Sequence, residues 1–107
     1  MVDLSNIKNI YLYLGNISFR GGINKLSNLI VTTFGNNNLT NSYFIFFSKD
    51  KTQMKIVEFE EDRIWLYHNK LKGMKYLLPT VDEGKIIIDK EQLLIILKNV
   101  KKSREKA

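Results

Sequence analysis

The sequence predicts a single α+β domain: a mainly antiparallel sheet of about five to six short strands, one helix after the first strand and one C-terminal helix. Short runs of β-branched and aromatic residues between turn residues predict the strands, and two segments with helical periodicity predict the helices. At 107 residues, the chain is too short for a second domain of the usual size, about 100–150 residues. We expect one domain over residues 1–100 and a basic, disordered tail over residues 101–107.

The N-terminal third predicts a strand followed by a helix. Residues 10–14 are a short β-type run that ends at Gly15-Asn16. From Ser18 the period changes, and Ser18 is the predicted N-cap of a helix that Gly35 ends. One helical stripe contains the apolar residues Ile23, Leu26, Leu29, Ile30 and Phe34.

The middle of the chain predicts an antiparallel meander. Residues 43–47 are apolar on both faces, which is the pattern of a central strand. Residues 54–59 and 63–69 form two further strands joined by an acidic turn. The apolar alternation changes phase between Ile56 and Val57, which predicts a β-bulge there.

The C-terminal third predicts two short strands and a closing helix. Residues 74–78 alternate in polarity up to Pro79, which ends the strand, and residues 85–88 follow as another strand. Asp89 and Gln92 have the spacing of a capping box at the start of a helix. Beyond Val100 there is no apolar periodicity, so we expect the tail to be frayed.

The basic charge allows two interpretations. The formal charge is +6, and residues 98–107 contribute five cationic side chains against one acidic side chain. A clustered positive charge is typical of proteins that bind nucleic acid. Lysine outnumbers arginine 14 to 3, however, and isoleucine and asparagine are abundant. An AT-rich genome would produce this composition, so part of the charge can reflect codon usage.

Several classes of protein are excluded or disfavoured by composition. The chain has no cysteine and one histidine, His68, which excludes disulfides, thiolate metal sites and multi-histidine sites. No apolar run approaches the length of a membrane helix, about 18–20 residues, and the first residues are polar. No glycine-rich phosphate loop of a known type is present. We therefore expect a cytoplasmic protein that is not an enzyme and has no catalytic residues, metal or cofactor.

Basic and aromatic residues around the predicted meander are the candidates for a binding site. Cations neutralise phosphates and aromatic faces stack on bases, so their mixture suits a nucleic-acid surface. The alternative is that the aromatics fill the core and the lysines cover its other face. The candidate nucleic-acid or partner-binding residues are Arg20, Lys49, Lys51, Lys55, Arg63, Trp65, Lys70 and Lys72. Arg20 is expected in the first turn of the first helix, beside Gly21-Gly22.

The order of the motifs resembles that of a known family. The matching segments are Tyr11-Leu12, Ser18-Phe19-Arg20, Phe44-Ile45-Phe46, Lys49, Lys55-Ile56-Val57, Ile64-Trp65-Leu66, Lys70-Leu71, Pro79, Glu91-Gln92-Leu93 and Ile96-Leu97. On these the chain resembles the small accessory protein, called TnpB or Orf2, of bacterial insertion sequences of the sixty-six type, which is unrelated to the RNA-guided nuclease also called TnpB. The similarity covers roughly residues 8–100. The family's Asp, Gly and Lys are replaced here by Ser18, Arg63 and Asn69.

The resemblance implies a non-catalytic accessory protein that assists DNA transposition beside a separate transposase, which cuts the strands. The implied partners are DNA at the transposon ends and the transposase or another accessory protein, with homo-oligomerisation left open and no membrane partner. Two other functions remain open. One is a small metal-free ribonuclease of the toxin type that uses Arg63, Tyr67, His68 and Lys70. The other is an adaptor that binds protein only.

Overall fold

The computed structural model describes residues 9–15, 17–35, 39–78, 85–98 and 100–102, and it contains a five-stranded sheet between two helices. In chain order the elements are β1 (Asn9–Tyr13), α1 (Ile23–Phe34), β2 (Ser42–Phe47), β3 (Gln53–Phe59), β4 (Ile64–Lys70), β5 (Met74–Tyr76), β6 (Lys85–Ile88), α2 (Lys90–Lys98) and β7 (Val100–Lys102). The predicted α+β class is confirmed.

The sheet is mainly antiparallel, as predicted, but one pair of strands is parallel. The strand order is β4-β3-β2-β1-β6. β1 and β2 run parallel, with α1 as the crossover between them, while the other three pairs are antiparallel. The meander of β2, β3 and β4 is as expected.

β5 and β7 form a separate two-stranded sheet. The backbones of Lys101 and Lys102 therefore lie in a strand, although the sequence analysis assigned both residues to the tail. Residues 103–107, the rest of that expected tail, lie outside the described residues.

The core has two parts because both faces of the sheet are covered. Phe44 and Phe46 of β2 pack with Ile30 of α1 on one face. Ile45 packs with Leu93 of α2 on the other face. Every residue of β2 is buried, which explains why its sequence is apolar on both faces.

The predicted β-bulge in β3 is wrong. The register between β3 and β4 continues without interruption, with Ile56 opposite Tyr67 and Val57 opposite Leu66. Ile56 packs on the α2 face of the sheet and Val57 on the α1 face. Two adjacent apolar residues are therefore accommodated by burial on both faces, and no extra residue is needed.

The two ends of α1 differ in how well they were predicted. Gly35 ends the helix at φ 90°, and its N–H donates to the carbonyl of Val31 at 3.1 Å, so the predicted stop is confirmed. The predicted N-cap is wrong, because α1 begins after Gly22, which has φ 79° and no side-chain cap. Ser18 lies earlier, where its Oγ accepts a hydrogen bond from the backbone N–H of Arg20 at 3.1 Å.

α2 begins with the predicted capping box. The Asp89 carboxylate accepts from the backbone N–H of Gln92 at 2.8 Å, and the Gln92 side chain accepts from the backbone N–H of Asp89 at 2.9 Å. Both bonds satisfy amides at the helix N-terminus. In the part of the chain that the structure describes, no helix is long and apolar enough to cross a membrane.

Candidate nucleic-acid interface

The sheet topology brings five of the predicted basic residues to one end of the sheet. Because β1 and β2 are parallel, the loop after β1 and the turn after β2 lie at the same end. β4 also ends there, because Lys70 pairs with Gln53, the first residue of β3. This end, called here the basic end, carries Arg20, Lys49, Lys51, Lys70 and Lys72.

The loop before α1 and the turn between β2 and β3 are neighbours at the basic end. A shallow depression between them is lined by Ile17, Phe19, Lys49 and Gln53, among others. Arg20 follows Phe19 directly and is exposed, outside the helix in which it was expected. Arg20 thus belongs to the loop that borders the turn carrying the exposed Lys49.

Lys55 connects this loop to the sheet. The residue is only 6% exposed. The ammonium donates a hydrogen bond to the carbonyl of Phe19 at 2.9 Å and lies 4.8 Å from the centroid of the Phe19 ring. Both contacts favour a cation at this position. Lys55 was predicted to be a binding residue, whereas in the structure it is buried beneath the loop that carries Arg20.

The turn between β2 and β3 is organised by Asp50. One carboxylate oxygen accepts three hydrogen bonds, from the Ser48 hydroxyl at 2.8 Å, the Thr52 hydroxyl at 2.7 Å and the Thr52 backbone N–H at 3.1 Å. These bonds, with the Thr52 hydroxyl contributing most, lower the pKa of Asp50 below its ordinary value. Lys51 has φ 64° and donates from Nζ to the carbonyl of Ser48 at 3.3 Å. Lys49 is left exposed to solvent.

The turn between β4 and β5 is attached to the same structure by backbone hydrogen bonds. The N–H of Leu71 donates to the carbonyl of Thr52, and the N–H of Tyr76 donates to the carbonyl of Lys51, each at 2.8 Å. Lys70 and Lys72 are exposed here. Within the described ranges, no cation of the basic end forms an ion pair with a carboxylate.

Arg63 and Trp65 lie at the opposite end of the sheet, beside the turn between β3 and β4. Arg63 forms two hydrogen bonds with Asp62, at 3.0 and 2.9 Å, and lies 3.9 Å from Glu60. These contacts raise the pKa of Arg63, and the bond from Arg63 lowers the pKa of Asp62. The indole N–H of Trp65 donates to Glu60. We call Glu60, Glu61 and Asp62 the acidic turn. Lys70 is at the other end of β4, which has seven residues and is about 23 Å long.

The family of the chain follows from its match to a family model. The model of the family described as IS66 Orf2 like protein matches residues 8–107. The chain belongs to this family. The resemblance proposed from the motif order is therefore confirmed, and the family indicates an accessory role associated with transposition. No curated protein and no solved structure matches the chain.

The IS66 Orf2-like family is a family of accessory proteins and not a known enzyme family. The residues suggested above for a ribonuclease are not brought together. His68 lies on the α1 face, with Nε2 2.8 Å from the side-chain oxygen of Gln53. Tyr67 lies on the other face and donates to Glu58, and Arg63 is at the far end of β4. Among the residues described, no three His, Cys, Asp or Glu side chains are grouped as a metal site requires.

One cation of the basic end was missed by sequence reasoning in this IS66 Orf2-like chain. Lys25 is exposed in the first turn of α1, and its Cδ lies 3.0 Å from the position that a Cβ on Gly21 would occupy. Gly21 has φ 103°, a backbone conformation that favours glycine. The sequence could have indicated that Lys25 is exposed, because helical periodicity from Ile23 places it off the apolar stripe. It also lies close to Arg20 in the sequence.

Proposed function

We propose that this IS66 Orf2-like protein assists transposition by binding the phosphates of duplex DNA through its basic end. The observation that supports this is the convergence of cations from three loops at one end of the sheet. The one acidic residue of the turn between β2 and β3, Asp50, is already hydrogen-bonded to hydroxyls. The protein acts in the cytoplasm beside the transposase of the element, which is the second partner.

Phosphate binding suits this set of side chains better than base reading. Lysine ammonium groups act as point charges, and contacts to phosphates carry no sequence information. Single-stranded binding would need aromatic faces beside the cations. The exposed aromatic residue Trp65, however, lies at the acidic turn. We therefore expect duplex binding with little preference for sequence.

Salt dependence gives the magnitude of the expected effect. Each phosphate contacted releases counterions, and the logarithm of affinity falls with the logarithm of salt concentration with a slope of about −0.9 per contact. Three to five contacts from the basic end would give a slope of roughly −3 to −4.5.

A fluorescence anisotropy titration with labelled duplex at two salt concentrations tests the proposal. The Arg20→Ala/Lys49→Ala variant should bind more weakly and show a slope that is less steep by about two contacts, close to 1.8. Lys90→Ala is the single-charge control, to be compared per charge removed, since Lys90 is an exposed lysine at the start of α2 at the other end of the sheet. It should bind like the wild type.

Two results would overturn the proposal. One is no binding of duplex DNA even at low salt, which would favour the adaptor that binds protein only. The other is an effect of Lys90→Ala that equals, per charge removed, the effect of Arg20→Ala/Lys49→Ala, which would mean that net charge matters and the basic end does not.

A further inference from the structure

β4 is an outer strand whose free edge is long and apolar. It has seven residues and pairs only with β3 among the described strands. Ile64 is 42% exposed and Trp65 is 44% exposed. Unprotected edge strands of this kind offer unpaired backbone groups to another strand. A strand that pairs with this edge would place a neighbouring side chain beside each of them.

We propose that β4 pairs antiparallel with β4 of a second copy of this chain, with Tyr67 at the two-fold axis. This pairing joins two five-stranded sheets into one continuous sheet and gives the self-complementary interface of a two-fold dimer. Counting outward from Tyr67, Trp65 lies opposite Asn69 of the second copy, and Ile64 lies opposite Lys70. Alternation along the strand keeps each of these pairs on one face of the sheet.

The charges at the two ends of β4 indicate which strand would pair with its free edge and in which direction that strand would run. The strand begins at the acidic turn and ends at Lys70, with Lys72 two residues further on. Antiparallel pairing with a second copy sets the acidic turn of each chain beside the lysines of the other. In the same register, Asp62 lies level with Lys72 of the second copy. A parallel arrangement would bring like charges together, which is unfavourable.

In the proposed dimer, an apolar groove beside β4 of one copy would receive the side chain of Trp65 from the second copy. The groove has a volume of about 560 Å³ and is lined on one side by Asn69 and Leu71 and on the other by Leu94 and Leu97 of α2. Leu94 is 43% exposed and Leu97 is 38% exposed. Trp65 stacks on Tyr67 and so projects from the face that the groove borders. Opposite Asn69, the Trp65 of the second copy would cover the groove.

The dimer also has a consequence for DNA, which rests on the proposed function. Antiparallel pairing of the two sheets points their basic ends in opposite directions, so that one dimer presents two separate phosphate-binding surfaces. The protein could then hold two DNA segments at once. The dimer itself does not depend on DNA, and its test contains none.

Disulfide cross-linking tests the register, because the chain has no cysteine. Trp65→Cys and Asn69→Cys are prepared separately, and each is oxidised alone and in an equal mixture. Opposed residues have Cα atoms about 4.5–5.5 Å apart, within disulfide range, whereas two copies of residue 65 would be offset by four residues, about 13 Å. We expect the mixture to form the disulfide between the two different variants, identified by mass, and neither variant to cross-link alone.

Sedimentation equilibrium of the unmodified full chain is the second measurement. We expect a dimer at concentrations of roughly 100 μM, and an increase in the dimer dissociation constant of about tenfold for Asp62→Lys and for Lys72→Glu. The double variant, which exchanges the two charges, should recover the wild-type value. Any one of three results would overturn the proposal. The first is a chain that remains monomeric, the second is equal cross-linking by either cysteine variant alone, and the third is no recovery of dimerisation in the double variant. Failure of DNA binding would leave both measurements unchanged.

Discussion

Replacing Lys55 by methionine tests how the basic end is held together. Methionine has a similar length but carries no charge and cannot donate to the carbonyl of Phe19. A hydrogen bond from a charged donor contributes about 1.5–3 kcal/mol, and a cation–π contact about 0.5–1 kcal/mol. The better burial of methionine and the removed cost of burying an ammonium offset part of this loss. We expect Lys55→Met to lower the free energy of unfolding by about 1–2 kcal/mol.

The matched control is Lys49→Met. It removes the same charge from the neighbouring turn, but Lys49 is exposed. Its free energy of unfolding should stay within about 0.5 kcal/mol of the wild type. Urea denaturation followed by circular dichroism measures both variants under the same conditions. In the duplex titration, Lys49→Met should weaken binding directly, whereas Lys55→Met acts only by loosening the loop that carries Arg20.

The reasoning would be refuted if Lys55→Met were as stable as Lys49→Met. That result would mean that the hydrogen bond and the ring contact together do no more than offset the cost of burying the ammonium. A stable Lys55→Met variant that lost DNA binding would refute it more strongly, because Lys55 would then act as a binding residue despite its burial.

Three further perturbations have clear expected outcomes. Asp89→Ala should lower the free energy of unfolding by about 1 kcal/mol in urea denaturation, because it removes half of the capping box. The lowered pKa of Asp50 means that its hydrogen bonds stabilise the fold above the ordinary aspartate pKa of 3.8 and that this stabilisation is lost as the pH falls below it. A pH series should therefore show a shallower acid loss of stability for Asp50→Asn. Arg20→Ala should reduce DNA binding and transposition while changing the free energy of unfolding by less than about 0.5 kcal/mol, and a loss of about 2 kcal/mol or more would identify Arg20 as a structural residue.

The sequence predicts those elements whose signal is local. The apolar run of β2, the stop at Gly35 and the capping box at Asp89 and Gln92 each depend on residues within a few positions of one another. The prediction for Ser18 was wrong because a hydroxyl before a helical stripe can accept a hydrogen bond either from the helix N-terminus or from the loop that precedes the helix. Here it accepts from the N–H of Arg20 in the loop, and the helix begins four residues later than a cap at Ser18 implies.

The candidate site could not be predicted in the same way, because its members are joined by long-range contacts. Lys55 alternates with apolar residues, and a lysine in that pattern is ordinarily exposed. Its burial depends on a carbonyl 36 residues away, at Phe19. Arg63 comes just before β4 and Lys70 is its last residue, so the length of this strand places them at opposite ends of the sheet. Only the topology shows which cations share a surface.

Positive and negative charges lie at opposite ends of β4. This separation is typical of a binding surface and not of a surface whose charges only favour solubility. A mixed surface, in which cations and carboxylates alternate, avoids repulsion between like charges. Here the acidic turn gathers Glu60, Glu61 and Asp62 at one end of β4, while the basic end gathers cations that have no carboxylate partner among the described residues. Like charges held close together repel and destabilise the free protein. A partner that carries negative charge would offset this repulsion, and a second copy would offset it where its acidic turn meets Lys70 and Lys72. The same charge distribution therefore supports both the DNA-binding proposal and the two-fold dimer.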